Sequence, residues 1–388
     1  MKTLFRARGI VSGRGDGYRT GQAVLVGDGR ILAVDEASAL EARAERTVDL
    51  GDAVLIPGLV DAHTHITIRP GEGNQHGQLA APLARQVLRG VGNMADALRS
   101  GVTTARIMGE KDGLDVEFRR MIARGEISGP RMRVATRALS ATHGHGVALG
   151  RADGSEELRL AVRENLRDGA DHIKIFVTGG VSNASAKIDA YHYSREEVRT
   201  VVREAHRAGV AVAAHAHGGE GVTMCAEEGV DSIEHGGLLT TENIQAMVEN
   251  DTWLVLTNTI SFHPSGIESG DAATPEIIDR VKRVRLQVES VFEEVKDSGL
   301  RFALGTDSMH GLFGYELEWL VEHGVDPERA VIAASSNGAE VMELSSEIGT
   351  LEVGKCADFV AVSENPLEDI KAVYDVIAVA KEGELQRL

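Results

Sequence analysis

Two histidines that alternate along an apolar segment are the first residues in this sequence whose types and spacing could do chemistry. His63 and His65 lie in Asp61-Ala-His-Thr-His65, near the end of the apolar, β-branched run 54–66. Side chains on one face of a strand repeat every two residues, so both imidazoles would point the same way. Such a pair could bind one metal ion, but strand histidines are also common as hydrogen-bonded core residues. The pair predicts a metal site only if other segments supply further ligands.

Other apolar runs also end in ionisable side chains. His215 ends the run 210–215, His235 ends 232–235, Asp307 follows 302–306, and Lys174 lies within 172–177. Each of these residues alone could be a hydrogen-bonded core residue. If the runs are strands whose ends meet, however, all six side chains converge on one place.

The elements that would bring them together are eight β-rich segments that alternate with amphipathic ones. The predicted strands are residues 55–66, 102–108, 132–138, 172–177, 210–215, 232–235, 253–259 and 301–305. The intervening segments, such as 155–168, 194–208 and 275–298, have apolar residues at helical spacing. Glycines that can end a helix precede five of the strands: Gly101, Gly169, Gly209, Gly229 and Gly299. This alternation predicts an α/β fold, a (β/α)8 TIM barrel over residues 57–348, with its active site at the carboxyl ends of the strands.

The two ends of the chain have a different character. Residues 1–56 contain short β-rich runs around the turn signal Gly27-Asp-Gly29, and residues 349–388 contain two more β-rich runs. We therefore predict a small β-sandwich domain formed from both termini, residues 1–56 and 349–388.

Composition limits the classes of partner. The net charge of −18 argues against nucleic acid and anionic membranes. No apolar run is long enough for a membrane span, the first residues do not resemble a signal peptide, and two distant cysteines do not make a disulfide framework. The absence of Gly-x-Gly-x-x-Gly and Walker-type loops disfavours nucleotide binding. We expect a cytoplasmic protein with a small-molecule substrate. Its oligomeric state stays open, a homo-oligomer included.

Five motifs together resemble the amidohydrolase superfamily, in particular its imidazolonepropionase-like members and the metal-dependent Xaa-Pro and Xaa-Arg dipeptidases. They are Pro57-Gly-Leu-Val-Asp-Ala-His-Thr-His65, His172-Ile-Lys-Ile175, Val212-Ala-Ala-His-Ala-His-Gly218, Ser232-Ile-Glu-His-Gly236 and Gly305-Thr-Asp-Ser308. The closing segment 349–359 resembles the return of such chains to their β domain. The likeness covers nearly the whole chain.

The resemblance implies a binuclear metal centre. His63 and His65 would hold one metal ion, His215 and His235 the other, and Lys174, carboxylated by CO₂, would bridge them. Asp307 would bind the first metal and transfer the proton of a bridging water. Imidazole, carboxylate and carbamate ligands suit Zn²⁺, and also Mn²⁺, Co²⁺ or Ni²⁺. Imidazolonepropionase-like relatives use one metal and lack the lysine, so Lys174 favours the two-metal subgroup. Its alternative role is a lysine that extends from a strand end towards solvent.

Five further residues are candidates for substrate binding. His145 matches the position where dipeptidase-like relatives contact the substrate carbonyl, whereas His143 is either a second contact or a loop residue. His217 lies two residues after His215 and would either line the pocket or hydrogen-bond within a loop. Tyr193 occupies the place of a substrate-contacting tyrosine, a role for which Tyr191 and His192 compete. Arg106 would meet either a substrate carboxylate or an acidic neighbour.

The sequence therefore predicts a metal-dependent amidohydrolase in which a metal-bridging hydroxide attacks a carbonyl bonded to nitrogen, in a dipeptide, an N-acyl amino acid, an amide or a carbamate. Two alternatives remain at this stage. The same site could hydrolyse a lactone, a cyclic imide or a phosphoester, or the chain could be a scaffold that has lost its activity. The presence of every ligand type argues against the scaffold.

Overall fold

The computed structural model describes residues 1–72, 75–182, 187–270 and 274–387. The chain divides into two compact units. The first contains residues 1–62, 95–105 and 310–388, and the second contains residues 63–94 and 106–309. No helix within the described ranges is long and apolar enough to cross a membrane.

The described residues form the following strands: β1 (Lys2–Arg6), β2 (Gly9–Val11), β3 (Tyr18–Thr20), β4 (Gln22–Gly27), β5 (Arg30–Glu36), β6 (Arg46–Asp49), β7 (Val54–Pro57), β8 (Leu59–Thr64), β9 (Val102–Ile107), β10 (Arg131–Val134), β11 (Leu139–Ser140), β12 (Ile173–Phe176), β13 (Val212–Gly218), β14 (Ser232–Leu238), β15 (Trp253–Leu256), β16 (Phe302–Leu304), β17 (Phe359–Val362), β18 (Val376–Lys381) and β19 (Glu384–Leu385).

The α-helices of the same ranges are α1 (Ala37–Leu40), α2 (Gln75–Leu79), α3 (Leu83–Arg99), α4 (Leu114–Ala123), α5 (Gly154–Asp168), α6 (Arg195–Arg207), α7 (Gly219–Glu227), α8 (Thr241–Glu249), α9 (Asn258–Phe262), α10 (Pro275–Val295), α11 (Gly314–Glu322), α12 (Pro327–Ala333) and α13 (Ser336–Val341).

A six-stranded parallel sheet with the order β11-β12-β13-β14-β15-β16 positions most of the candidate ligands. Each adjacent pair of its strands is connected through at least one helix, as parallel pairing requires. In its register, Phe176 lies opposite His215 and Ala216 lies opposite His235. The carboxyl ends of β12, β13 and β14 therefore lie side by side. A separate three-stranded sheet has the order β10-β9-β8.

The first unit contains two further sheets, with the orders β5-β4-β1-β6 and β19-β18-β17-β7-β2-β3. Antiparallel pairing of β7 with β17 joins the two ends of the chain, with Ile56 opposite Val360. An apolar cluster that includes Phe5, Ile10, Val24 and Phe359 is buried there, and the rings of Phe5 and Phe359 lie 4.9 Å apart. Burial of this cluster stabilises the unit through the hydrophobic effect.

Three predicted strands differ from the structure. The run 253–259 is a strand only to Leu256, and α9 begins at Asn258. The run 55–66 is two strands, β7 and β8, in different sheets, with Gly58 between them. A Cβ atom at Gly58 would lie 2.1 Å from Oγ1 of Thr103, so only glycine fits there. The run 132–138 is also interrupted, because β10 ends at Val134 and Thr136 adopts a positive φ of 60° that a strand does not allow.

The helix signals are confirmed. Ser194 and Glu197 form the predicted capping box at the start of α6. The five predicted helix-ending glycines all have positive φ. Both cysteines are free.

Candidate metal centre and substrate cavity

The ends of β8 and β16 bring His63, His65 and Asp307 together. Oδ1 of Asp307 lies 3.6 Å from Nε2 of His63 and 3.9 Å from Nε2 of His65. One ligand atom from each residue lies within 4.8 Å of the others, so the three could hold a metal ion. This approach of the two strands depends on Gly305, because a Cβ atom there would lie 2.6 Å from Cβ of His63.

The turn after β16 directs Asp307 and Ser308 towards this group. Both residues have positive φ, 46° and 77°, which is uncommon for side chains of their kind. The amide of Asp307 donates to the carbonyl of His63 at 2.9 Å, and the amide of Ser308 donates to Oγ1 of Thr64 at 3.2 Å. These bonds hold the turn against β8.

In both His63 and His65, Nε2 is the ring nitrogen near Asp307, and Nδ1 is hydrogen-bonded to another residue. Nδ1 of His63 donates to Oε2 of Glu234 at 2.7 Å, and Nδ1 of His65 donates to the carbonyl of Gly109 at 3.0 Å. These acceptors fix the tautomer in which Nδ1 carries the proton and Nε2 does not. Burial lowers the pKa of His65 to about 4 and that of His63 well below its ordinary value, so both rings are neutral.

The second imidazole pair lies on β13 and β14, with the ring centroids of His215 and His235 4.6 Å apart. Nε2 of His215 donates to the carbonyl of Gly179 at 2.9 Å, and Nδ1 of His235 hydrogen-bonds Oγ1 of Thr257 at 2.8 Å. Burial lowers the pKa of both rings well below the ordinary histidine value. Two neutral imidazoles thus keep their other nitrogens, Nδ1 and Nε2 respectively, available for a ligand.

Lys174 is unusual for a lysine, because its side chain lies in the core and not at the surface. Its side chain is fully buried on β12, and Nζ has no hydrogen-bond partner among the described residues. Nζ lies 5.2 Å from the ring centroid of Phe176. Burial lowers the pKa of Lys174 to about 8. An unpaired buried ammonium is costly, so the surroundings favour the neutral amine.

Sequence reasoning missed the role of Glu234. This carboxylate is fully buried, and Oε1 accepts from Arg106 at 2.8 Å and from Oγ of Ser232 at 2.6 Å, while Oε2 accepts from His63. It therefore orients a candidate ligand and neutralises a buried guanidinium. The sequence did contain a signal for such a role, because Glu234 is an acidic residue inside an apolar run and directly precedes His235.

The structure brings together only part of the predicted substrate-binding set. His145 and His217 line the cavity beside the candidate ligands, with ring centroids 4.7 Å and 4.9 Å from that of His215. His143, Tyr193 and Arg106 do not belong to the described lining.

Each of these three has other contacts. The hydroxyl of Tyr193 is buried and donates to the carbonyl of Ala152 at 2.9 Å. Arg106 is buried with its guanidinium on Glu234 and Ser232, so it meets an acidic neighbour, the second of its two predicted roles. His143 is exposed and packs against the ring of His192, 4.8 Å away.

The cavity also contains residues that no motif indicated. Gln75, Ser182, Thr257, Asn258, Ser261 and Ser308 supply its other polar side chains. The remaining wall is mostly aliphatic and aromatic. Such a combination of an apolar wall and a few polar groups is typical of small-molecule sites.

Comparison with known proteins identifies the family. The sequence profile of the Amidohydrolase family matches residues 54–385. The chain belongs to this family. It is therefore a hydrolytic enzyme, and family members are typically metal-dependent, which agrees with the His63, His65 and Asp307 group.

Individual relatives cover most of this amidohydrolase. Ochratoxinase from Aspergillus niger is 29% identical over 412 aligned positions, which cover 97% of this chain and 84% of the relative. Imidazolonepropionase from Pyrobaculum arsenaticum is 23% identical, and the alignment covers 87% of this chain and 85% of the relative. A crystal structure of a Xaa-Pro dipeptidase with methionine bound in its active site has a TM-score of 0.91 and 30% identity, with both chains covered completely. The resemblance found in the motifs is thereby confirmed.

Proposed function

We propose that this amidohydrolase is a binuclear metal-dependent enzyme that hydrolyses a carbonyl C–N bond in a dipeptide, an N-acyl amino acid, an amide or a carbamate. The observation that carries the proposal is the buried Nζ of Lys174, without a hydrogen-bond partner among the described residues, on the strand next to His215. The relatives support the bond type, since a Xaa-Pro dipeptidase and an ochratoxinase are among them.

The proposed architecture is a (β/α)8 barrel over residues 57–348 and a β-sandwich of residues 1–56 and 349–388. The parallel order of β11 to β16 supports the barrel. If β10 and β11 together count as the third strand position, β8 to β16 supply the eight positions of such a barrel. The shared apolar cluster of the two terminal sheets supports the sandwich.

The residues fit two divalent ions, for which Zn²⁺ is our first choice. Nε2 of His63, Nε2 of His65 and the carboxylate of Asp307 would hold one. Nδ1 of His215 and Nε2 of His235 would hold the other, because the opposite nitrogens of these rings are already hydrogen-bonded. When bound, the ions would activate a water molecule and polarise the substrate carbonyl.

Lys174 would complete the site as a carbamate. Its neutral amine would attack the carbon of CO₂, so that a C–N bond forms while one C=O π bond breaks and its electron pair moves to oxygen. The nitrogen then releases a proton to water. The product is an anion with two oxygens that suits two cations, whereas an ammonium suits neither. The depressed pKa of Lys174, caused by burial, makes the reactive neutral amine accessible at physiological pH.

Asp307 would move the proton. It lies beside both histidines of the first pair, at 3.6 Å and 3.9 Å, where its carboxylate can accept a proton from the attacking water. The same carboxyl can then donate to the leaving amine. A C–N bond needs this donation, because an amide anion is a poor leaving group.

Replacement of Lys174 tests the proposal. We expect Lys174→Ala to lower kcat/KM for amide substrates at least 100-fold and to lower the metal content. The control Lys282→Ala removes an exposed lysine of α10 and should change neither quantity. In parallel, protein reconstituted with ¹³C-bicarbonate and zinc should show a carbamate carbon resonance that Lys174→Ala lacks.

The result that would overturn the proposal is a Lys174→Ala variant with full activity and no carbamate signal in the parent protein. Parallel assays of lactones, cyclic imides and phosphotriesters report the bond type. Faster turnover of any of these than of every amide tested would replace the C–N assignment.

A further inference from the structure

One wall of the cavity is an apolar cluster without a charged member. We call it the first apolar wall. It consists of Ile68, Leu79, Leu149 and Phe176, which pack together and are nearly inaccessible to solvent. Phe176 belongs to β12, the strand that carries Lys174, so this wall begins beside the candidate metal ligands. A substrate group placed here would be in an apolar environment.

A separate apolar cluster forms a second wall. The second apolar wall consists of Val181, Ile267, Val284 and Val288, of which the last two lie on α10. The residues of the two walls belong to different clusters of the core. The single cavity is therefore lined by two separate apolar clusters.

No lysine or arginine lines the cavity in the part of the chain that the structure describes. Arg285 follows Val284 on α10, but its Nε donates to the carbonyl of Ser261 at 2.5 Å and one terminal nitrogen to Glu268 at 2.9 Å. Asp307 adds a carboxylate to the lining. A substrate carboxylate would therefore meet no lysine or arginine side chain of the described lining.

Two buried polar atoms of the cavity lining are placed to contact the amide of a substrate. Oγ of Ser308 and Nδ1 of His217 are buried and have no hydrogen-bond partner among the described residues. Both residues line the cavity, so their free groups can meet the carbonyl oxygen and the N–H of an amide. Two such atoms suffice for a neutral amide but do not neutralise a carboxylate.

We infer that the preferred substrate is an uncharged amide or carbamate with an apolar group on each side of the scissile C–N bond, and not a dipeptide or N-acyl amino acid with a free carboxylate. The inference rests on the proposed function and narrows its substrate class. One apolar group packs on each wall, and the amide lies between them at the metal ligands. The net charge of −18 further disfavours the approach of an anion.

Matched substrates test the inference on the metal-loaded enzyme. N-hexanoyl-phenethylamine and N-hexanoyl-phenylalanine differ only in the carboxylate. We expect at least a tenfold higher kcat/KM for the neutral compound. N-acetyl-phenethylamine, which lacks most of the acyl chain, should fall at least tenfold below its hexanoyl counterpart, because each methylene in an apolar pocket contributes to binding.

Equal or faster hydrolysis of the phenylalanine compound would overturn the inference while leaving the proposed function intact. Equal hydrolysis of the acetyl and hexanoyl amides would also overturn it. Hydrolysis of a dipeptide but of none of the three compounds would overturn the inference alone, whereas no hydrolysis of any amide, carbamate or dipeptide would overturn the proposed function.

A charge placed on the second wall gives an independent test. Val288 is half-buried on α10, and Val288→Lys would present an ammonium to the cavity. We expect it to raise kcat/KM for the phenylalanine compound relative to the neutral amide at least tenfold. Leu286→Lys adds the same charge to the same helix, at a position that is 68% exposed and outside the lining, and should leave the ratio unchanged.

Ile267→Lys, also half-buried in the second wall, provides a second variant with the same expected result. Thermal denaturation of all three variants establishes that each is folded. A ratio that stays the same in both wall variants, or that moves equally in Leu286→Lys, would overturn the inference.

Discussion

At the scale of single residues, the candidate ligands depend on side chains that never touch the substrate. His63 is held by Glu234, which is held in turn by Arg106 and Ser232, all of them buried. A carboxylate behind a histidine ligand fixes the ring and increases its basicity. Glu234 thus positions the ring of His63, a candidate metal ligand.

We expect Glu234→Gln to weaken metal binding about 10- to 100-fold, because an amide fixes the ring of His63 less strongly and leaves Arg106 without its counter-charge. Metal titration of the chelator-treated protein measures this. Glu227→Gln removes an exposed carboxylate whose ion pair with Arg195 contributes little, and it should bind metal as the parent does. Unchanged metal affinity in Glu234→Gln would contradict the assigned role.

At the scale of elements, the site depends on how closely strand ends approach one another. Gly305 follows β16 and lies against His63 at the end of β8, with no room for a side chain. The contact is with backbone and Cβ atoms, which cannot rotate away. The spacing of His63 and Asp307 is therefore set by a glycine that contributes no ligand atom.

Two glycine-to-alanine variants distinguish the steric effect of a methyl group at Gly305 from the change in backbone flexibility that any such substitution causes. Gly305→Ala should destabilise the protein by about 1–3 kcal/mol and lower its metal affinity, because the Cβ atom would be 2.6 Å from Cβ of His63. Gly92→Ala, in α3 with open space around the added methyl group, should stabilise by about 0.5–1 kcal/mol. Urea denaturation measures both changes, and a Gly305→Ala variant as stable as Gly92→Ala would show that β16 can shift freely.

At the scale of the whole molecule, buried carboxyl groups outside the metal centre link stability to pH. Asp115 on α4 is fully buried and accepts hydrogen bonds from the amides of Thr136 and Val116. Burial and the neighbouring charge of Glu110 raise the pKa of Asp115 to about 8. The folded protein therefore holds a proton on this carboxyl that the unfolded chain releases.

The raised pKa of Asp115 in the folded protein determines how its contribution to stability changes with pH. The contribution of Asp115 to stability is complete below the pKa of the unfolded group, near 4, and decreases as the pH rises towards 8. The free energy of unfolding should fall by up to about 1.4 kcal/mol per pH unit over that range from this residue. In Asp115→Asn, the free energy of unfolding should not show this part of the decrease with pH.

Denaturant midpoints of parent and Asp115→Asn between pH 5 and pH 8 measure the effect. We expect the parent's advantage over the variant to shrink as the pH increases. A constant difference between the two proteins across this range would contradict the raised pKa of Asp115.

The sequence by itself indicated the family, the candidate metal ligands and the helix ends that a capping box or a glycine marks. Local patterns were enough to select the six candidate ligands, because each lies in or directly after an apolar run: His63, His65, Lys174, His215, His235 and Asp307. The capping box at Ser194 and the helix-ending glycines are similarly local, since a helix end is decided by the residues within one turn of it.

Only the tertiary structure decided what surrounds those residues. The partnership of Glu234 with His63 joins positions 171 residues apart, and no local pattern encodes which strands face each other. The same holds for Arg106, whose charge suits a substrate or a buried carboxylate equally well until its neighbours are known. The division of the run 55–66 between two sheets and the two apolar walls of the cavity have the same cause. They depend on register and packing between distant segments, which periodicity within one segment does not contain.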